Sequence, residues 1–364
     1  MLDKKFSPES QSAFAARYEA QKIAYAPVVF QAVRYAWKRG MLQALADAGA
    51  SGVALSALAA SGRWSEYALK VALETCLAAG VVYLRDGCYV LDKTGYCILT
   101  DKMTQINLDF NHDVCYQGLF KLDASLDQQQ PLGLPSLGDW DTLYQGLSTL
   151  PEPAKTSWFA FDHFYSDTSF PEILPDVFAT APRKLMDIGA NTGKFSCAAL
   201  AYNHTVELHL VDLPRQLAVA EASLQNAGVR QRAHLHACDL LETAAALPVG
   251  MDVIWMSQFL SCFSEAAIAS ILQRAAAALA PRGQLLIMDT FWDRQHYDIA
   301  AYCLINTSPY FTAMASGNSK VYESSDYIRL AEQAGLQLLT VRDEIGYCHS
   351  LLRFTAIASG VDDV

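Results

Sequence analysis

Residues 184–195 read KLMDIGANTGKF: an apolar run carrying Asp187, a loop punctuated by Gly189 and Gly193, then a second apolar stretch. A strand that breaks this abruptly at two glycines brings backbone N–H groups close to a ligand. From this point onward strand and helix signals alternate. Strand-like runs at 206–213, 232–240, 251–258 and 284–292 are interleaved with helix-like runs at 214–228 and 264–283. A helix-like run at 326–335 and two more strand-like runs at 336–344 and 350–358 complete the series. Such alternation predicts an α/β, Rossmann-like parallel sheet covered on both faces, with ligands at the carboxyl ends of its strands.

The loop itself narrows the ligand. A dinucleotide fingerprint needs GxGxxG so that a pyrophosphate can approach the backbone. Here the glycines are Gly189 and Gly193, with Ala190, Asn191 and Thr192 between them. Asp187, two residues ahead of Gly189, would repel a pyrophosphate but suits a cationic amino group. S-adenosylmethionine (SAM) carries an ammonium, a sulfonium and no phosphate, and it fits. Asp212 ends the next predicted strand, placed to accept both ribose hydroxyls. Asp239 ends the third and is placed to accept from the adenine amino group. The plainer alternative makes all three acids strand-end caps.

The chain has 364 residues, enough for two domains, and its net charge of −11 opposes polyanion binding by the molecule as a whole. Residues 11–38 predict a long helix rich in alanine and aromatics. Shorter helices follow at 41–49, 53–62 and 64–80, and a hairpin spans 81–99 around Asp86-Gly87. Three helices and a two-stranded wing are the winged-helix order. The presumed recognition helix, however, offers Ser65, Glu66, Lys70 and Glu74, two acids against one base. A helix that reads DNA offers Arg, Lys, Asn or Gln. The N-terminal region therefore reads as a packing or dimerisation module. Nine scattered cysteines without metal-type spacing, no apolar run long enough to span a bilayer and no signal-like N-terminus lead us to expect a reduced, cytoplasmic protein without a metal site.

The order DIGANTG … VDLP … CDLLE … MSQFLSCFSE … APRGQLLIMD resembles class I SAM-dependent methyltransferases. It is most similar to the small-molecule O-methyltransferases that carry an N-terminal winged-helix dimerisation domain, a family including plant phenolic and bacterial pigment and antibiotic enzymes. The resemblance implies a dimerisation domain over 1–105, a helical connector over 106–183 that contributes to the pocket, and a seven-stranded methyltransferase domain over 184–364. It implies SAM as cofactor, a small-molecule acceptor, a homodimer, and no nucleic-acid or membrane partner. The cofactor residues it implies are Asp187, Gly189, Asn191, Gly193, Asp212, Leu213, Asp239, Leu240 and Ser257, with Ser166 approaching the SAM carboxylate.

One segment departs from the family. Where relatives carry a Lys near the adenine and then a His as general base, this chain has Ser257 and Ser261, with Cys262 and Phe263 following. A serine hydroxyl is a poor base near neutral pH. His163, flanked by Asp162 and Asp167, and His296, flanked by Asp293 and Asp298, are the candidate replacements. An acidic acceptor would need no strong base, and a SAM-binding protein without methyl transfer, or a small-molecule-sensing regulator, would need none at all. Cys262 reads as a buried cysteine rather than a nucleophile. For the acceptor, family geometry nominates Trp292, Asn306, Tyr310 and Met314 as an aromatic slot, with 316–320 as its cover and Lys320 for an acidic substrate.

Overall fold

A computed structural model describes residues 12–357, which divide into two compact units, one ending at Asn111 and one beginning at His112. In the first, α1 (Ala13–Lys38) starts where Ser12 caps it by accepting from the Ala15 N–H at 3.1 Å. Helix α2 (Met41–Ala48), strand β1 (Val53–Ala54), α3 (Leu55–Ala60) and α4 (Glu66–Ala78) follow. Strands β2 (Val82–Arg85) and β3 (Cys88–Leu91) form the wing, and β1 joins them in the order β1-β3-β2. Asp86 (φ 49°) and Gly87 (φ 76°) form a two-residue turn with positive φ at both positions, the geometry that matches strand twist in a hairpin. Val33, Ala36, Leu45, Leu69, Leu73 and Cys76 form the core of this unit.

The wing is shorter than its sequence predicts. Alternation continues to residue 99, but the Asp92 carboxylate takes the Lys93 N–H at 2.7 Å and starts α5 (Lys93–Thr100) instead of a longer strand. Helix α6 (Lys102–Phe110) closes the unit, and Asp109 on it pairs with Arg34 (3.0 Å) and Lys38 (2.7 Å) of α1.

In the second unit, α7 (Leu122–Gln128), a single helical turn at Leu143–Gly146, α8 (Ala154–Ser166) and α9 (Phe170–Val177) precede the sheet. Its strands are β4 (Lys184–Ile188), β5 (Glu207–Asp212), β6 (Ala233–Ala237), β7 (Met251–Ser257), β8 (Leu279–Asp289), β9 (Leu336–Ile345) and β10 (His349–Ala356). Between them run α10 (Lys194–Tyr202), α11 (Pro214–Asn226), α12 (Glu265–Ala278), α13 (Asp298–Tyr310) and α14 (Ser324–Gln333). The strand order is β6-β5-β4-β7-β8-β10-β9.

Five strands, β4 to β8, are parallel, as the alternation predicts; the last two are not. Only residues 346–348 separate β9 from β10, a link long enough for a hairpin and too short for a parallel crossover, so β10 pairs antiparallel with both β8 and β9. The strand pleat sorts the core. Leu185, Leu208 and Leu210 pack with α9, α10 and α11 on one face, whereas Met186, Ile188, Ile254 and Met256 pack with α12 and α14 on the other. The chain leaves β4 for β5 and β6, then returns to β7 on the opposite side of β4. That reversal opens a crevice at the carboxyl ends of β4, β5 and β7, where open α/β sheets hold their ligands.

Candidate active site: an aspartate-lined cleft at the strand ends

A cavity of about 310 Å³ occupies the crevice, within the size range of small-molecule sites. The loop after β4 forms its floor. Gly189 has φ +80°, and a Cβ there would lie 2.3 Å from the Phe259 ring, so this position demands glycine on two counts. The Gly189 N–H donates to Val211 O at 2.9 Å and ties the loop to β5. Gly193, at φ +76°, ends the loop and opens α10.

Asn191 is the knot. Its backbone N–H donates to Asp212 Oδ2 (2.8 Å), its side-chain amide donates to Asp162 Oδ2 (3.2 Å), and its Oδ1 accepts from Gln216 Nε2 (3.3 Å). Two segments distant in sequence, around Asp162 and around residues 212–216, are thereby fixed to one loop. The other Asp212 oxygen takes the Leu213 N–H at 2.7 Å. Two of the roughly four acceptor positions of that carboxylate are thus used by its own backbone, and the rest face the cavity.

Five aspartates line the cleft: Asp162, Asp167, Asp187, Asp212 and Asp239, against one lysine, Lys194. Lys194 is already engaged by Asp167 at 2.5 Å. Among the described residues no lysine or arginine pairs with Asp187, Asp212 or Asp239. Burial drives Asp187 up to about 7, opposed by the hydrogen bond from Ser196 Oγ (2.5 Å) and reinforced by the charge of Asp212. Burial likewise lifts Asp212 to about 6, although the two backbone N–H groups oppose it. Asp162 also rises to about 6, mainly through burial, with the neighbouring His163 pulling it down. Asp167 shows the opposite balance: burial raises it, but hydrogen bonds from His163 and Lys194 hold it below the ordinary carboxylate range. Raised carboxylates in one cavity are a standing demand for a cation.

The cleft also holds unmet hydrogen-bonding capacity. Trp255 Nε1, Ser257 Oγ and Gln258 Oε1 are buried, belong to residues that line the cavity and have no hydrogen-bond partner among the described residues; the buried Tyr144 hydroxyl lies beside the Cys262 thiol. Native interiors rarely leave such groups alone, so a polar ligand is the natural partner. Acids for a cation and ribose, together with orphaned donors and acceptors for a base, fit SAM. Leu240 and Asp239 follow β6, and Arg274 of α12 holds their loop by donating to Leu240 O at 2.6 Å.

The structure brings Asp187, Gly189, Asn191, Asp212, Leu213, Asp239, Leu240, Ser257 and Ser166 together on the cavity wall. Gly193 stands one residue outside it and sets the start of α10. His163 is also on the wall, its Nδ1 3.5 Å from Asp167 and 3.8 Å from Asp162, with Phe159 stacked on its ring. His296 is not. Its side chain is 64% exposed and sits 3.5 Å from Glu344 of β9, away from the cavity lining.

The aromatic slot is elsewhere too. Trp292, Asn306, Tyr310 and Met314 do not line the cavity. Asn306 is exposed and donates to Tyr302 O within α13. Tyr310 is buried behind the wall, where its hydroxyl accepts from Trp158 Nε1 at 2.8 Å, and Met314 is fully buried against Gly118. Ser316 and Asn318 of the expected cover reach the cavity, but Lys320 instead lies 5.5 Å from the Tyr322 ring. Ser261 is buried and off the wall, while Cys262 is on it with its thiol pushed up to about 12 by burial, far too high for a nucleophile.

Sequence reasoning did not single out Tyr144, Trp158, Lys194, Trp255 and Phe259 as wall residues, and named Asp162 only as a neighbour of His163. A signal existed for two: Trp158, Asp162 and Ser166 are spaced by four and share one face of α8.

Residues 17–89 match the family model for a Dimerisation2-like domain, and residues 186–285 match one for a methyltransferase domain. Demethylspheroidene O-methyltransferase of Cereibacter sphaeroides is 27% identical over 143 residues, 39% of this chain and 37% of that protein. The match therefore spans little more than a third of that relative. The apo structure of the SAM-dependent methyltransferase SibL superposes with a TM-score of 0.68 at 20% identity, covering 92% of this chain and 98% of that one. Mitomycin 7-O-methyltransferase MmcR gives 0.67 at 18% identity over 94% and 98%. The O-methyltransferase NcsB1 from neocarzinostatin biosynthesis, solved with SAM and 2-hydroxy-5-methyl naphthoic acid, gives 0.64 at 19% identity over 90% and 95%. The chain thus carries a stretch matching a dimerisation-type domain ahead of one matching a methyltransferase domain, on a fold shared with these solved methyltransferases.

Proposed function

We propose that the protein is a SAM-dependent O-methyltransferase acting on a small aromatic or conjugated metabolite, and that it works as a homodimer. The observation that carries this reading is the cleft with five aspartates, one engaged lysine and several orphaned polar atoms at the topological switch of the sheet. When bound, SAM supplies an electrophilic methyl on a positively charged sulfur. Asp212 would hold the ribose hydroxyls, Asp239 and Ser257 the adenine, and Asp187 the ammonium, with Ser166 near the carboxylate.

The chain's own contribution to transfer is alignment and proton removal. Holding the acceptor oxygen in line is the larger part of the acceleration. His163 serves as the base in this reading. Asp162 and Asp167 sit at its Nδ1, so the opposite ring nitrogen is the one left to take the acceptor proton. Trp158, Phe170 and Phe263 give the wall apolar surface for a flat acceptor.

Exposed apolar side chains favour the dimer. Phe14, Ile23, Tyr25 and Val28 of α1 are each at least 60% exposed, within the stretch that matches a Dimerisation2-like domain or just ahead of it. Incubation with methyl-labelled SAM and a panel of hydroxylated aromatic and polyene acceptors tests the proposal. Label should appear in an ether product, and more slowly in His163→Ala when the acceptor hydroxyl is weakly acidic. Binding of SAM with no transfer to any hydroxyl acceptor would refute the assignment as an O-methyltransferase.

A further inference from the structure

We propose that Glu207, His209 and His234 form a zinc-binding site at the free edge of the sheet, with His236 holding the His209 ring in place. Parallel pairing of β5 with β6 sets His209 opposite His234. The two-residue period of a strand then puts Glu207 with His209, and His234 with His236, on the same face. One ligand atom from each of Glu207, His209 and His234 lies within 4.8 Å of the other two. The three imidazoles are stacked, His209 with its ring centre 4.8 Å from that of His234 and 5.2 Å from that of His236.

The hydrogen bonding selects the ligating nitrogen. His209 Nδ1 lies 3.0 Å from His236 Nε2, so one proton is shared between them. His209 Nε2 is buried and has no hydrogen-bond partner among the described residues, and with Nδ1 donating the shared proton to His236 it presents a lone pair to a metal. An imidazole oriented through its second nitrogen is how metal-ligating histidines are normally held.

Two nitrogens and one carboxylate with a position left open suit Zn²⁺. The location suits a staple. Among the described residues β6 is the outermost strand on this side and pairs with β5 alone, and a metal shared between the two would pin it. The site is separate from the cleft, because His209 lies three residues before Asp212, roughly 10 Å along the strand.

Equilibrium dialysis of the chelator-stripped full chain against Zn²⁺, with a thermal melt in parallel, tests the assignment. We expect one zinc per chain and a raised melting temperature. His234→Ala and Glu207→Gln, both at exposed positions, should each weaken zinc binding by more than the roughly 10- to 100-fold typical of second-shell changes. Neither should alter SAM affinity. Co²⁺ substitution should give a nitrogen- and oxygen-ligated spectrum with no thiolate charge-transfer band. Zinc uptake equal in wild type and both variants, a thiolate band, or no uptake would each overturn the proposal.

Discussion

Replacing Asp212 with alanine tests the cofactor reading at its best-defined point. Its carboxylate spends one acceptor position on the Asn191 N–H and one on the Leu213 N–H, both within 2.8 Å, and turns the remainder toward the cavity. A hydrogen bond to a charged group contributes about 1.5–3 kcal/mol net, and two ribose hydroxyls would give twice that before correction. Water entering the vacated space would resolvate the hydroxyls and the two backbone donors, so the expected loss is about 2–3 kcal/mol. That corresponds to roughly a 30- to 150-fold rise in Kd. Isothermal titration calorimetry with SAM measures it, and circular dichroism confirms that the variant is folded. The sign with pH follows from burial. Free Asp212 sits near 6, and only its ionised form can accept from both hydroxyls, so wild-type affinity should fall as pH drops through about 6. In Asp212→Ala this part of the dependence should vanish. A folded variant that binds SAM within about threefold of wild type, a difference of ~0.6 kcal/mol, would refute the reasoning.

Other consequences can be measured on the same protein. Asp187 stands near 7 when unliganded, and a cation beside it should lower it, so SAM binding near neutral pH should release a fraction of a proton, read from calorimetry in buffers of different ionisation heat; proton uptake would count against an ammonium at this carboxylate. Gly189→Ala forces a Cβ 2.3 Å from the Phe259 ring at φ +80°, and should cost about 1–3 kcal/mol of stability in a denaturant melt while weakening SAM binding. His163→Ala should reduce kcat by about 10²- to 10⁴-fold for a weakly acidic hydroxyl and far less for an acidic phenol; equal losses for both would remove His163 as the base. Tyr310→Phe strips the acceptor from Trp158 Nε1 and should lower stability by about 1 kcal/mol, without the change of acceptor preference expected had Tyr310 faced the substrate.

The cofactor half of the cleft was legible because its determinants are local. Strand-end acids and a glycine loop read directly from alternation and spacing, and Asp187, Asp212 and Asp239 all reach the wall. The acceptor half was not legible, because its wall is assembled from segments far apart in sequence. Tyr144 and Trp158 come from the region before the sheet, whereas Trp255 and Phe259 come from β7 and its following loop. Aromatic composition over 291–311 suggested a pocket, yet composition carries no direction: Tyr297 and Tyr302 point outward and Tyr310 packs behind the wall. The wing shows the same limit on a smaller scale. Residues 93–99 alternate like a strand, but one carboxylate cap at Asp92 starts a helix there.

A competition between SAM and a dinucleotide measures the central claim most directly. With a fluorescent SAM analogue seated in the cleft, SAM and S-adenosylhomocysteine should displace it one-to-one, whereas NAD should leave it in place because five carboxylates repel its pyrophosphate. Displacement by NAD, or indifference to SAM, would contradict the account.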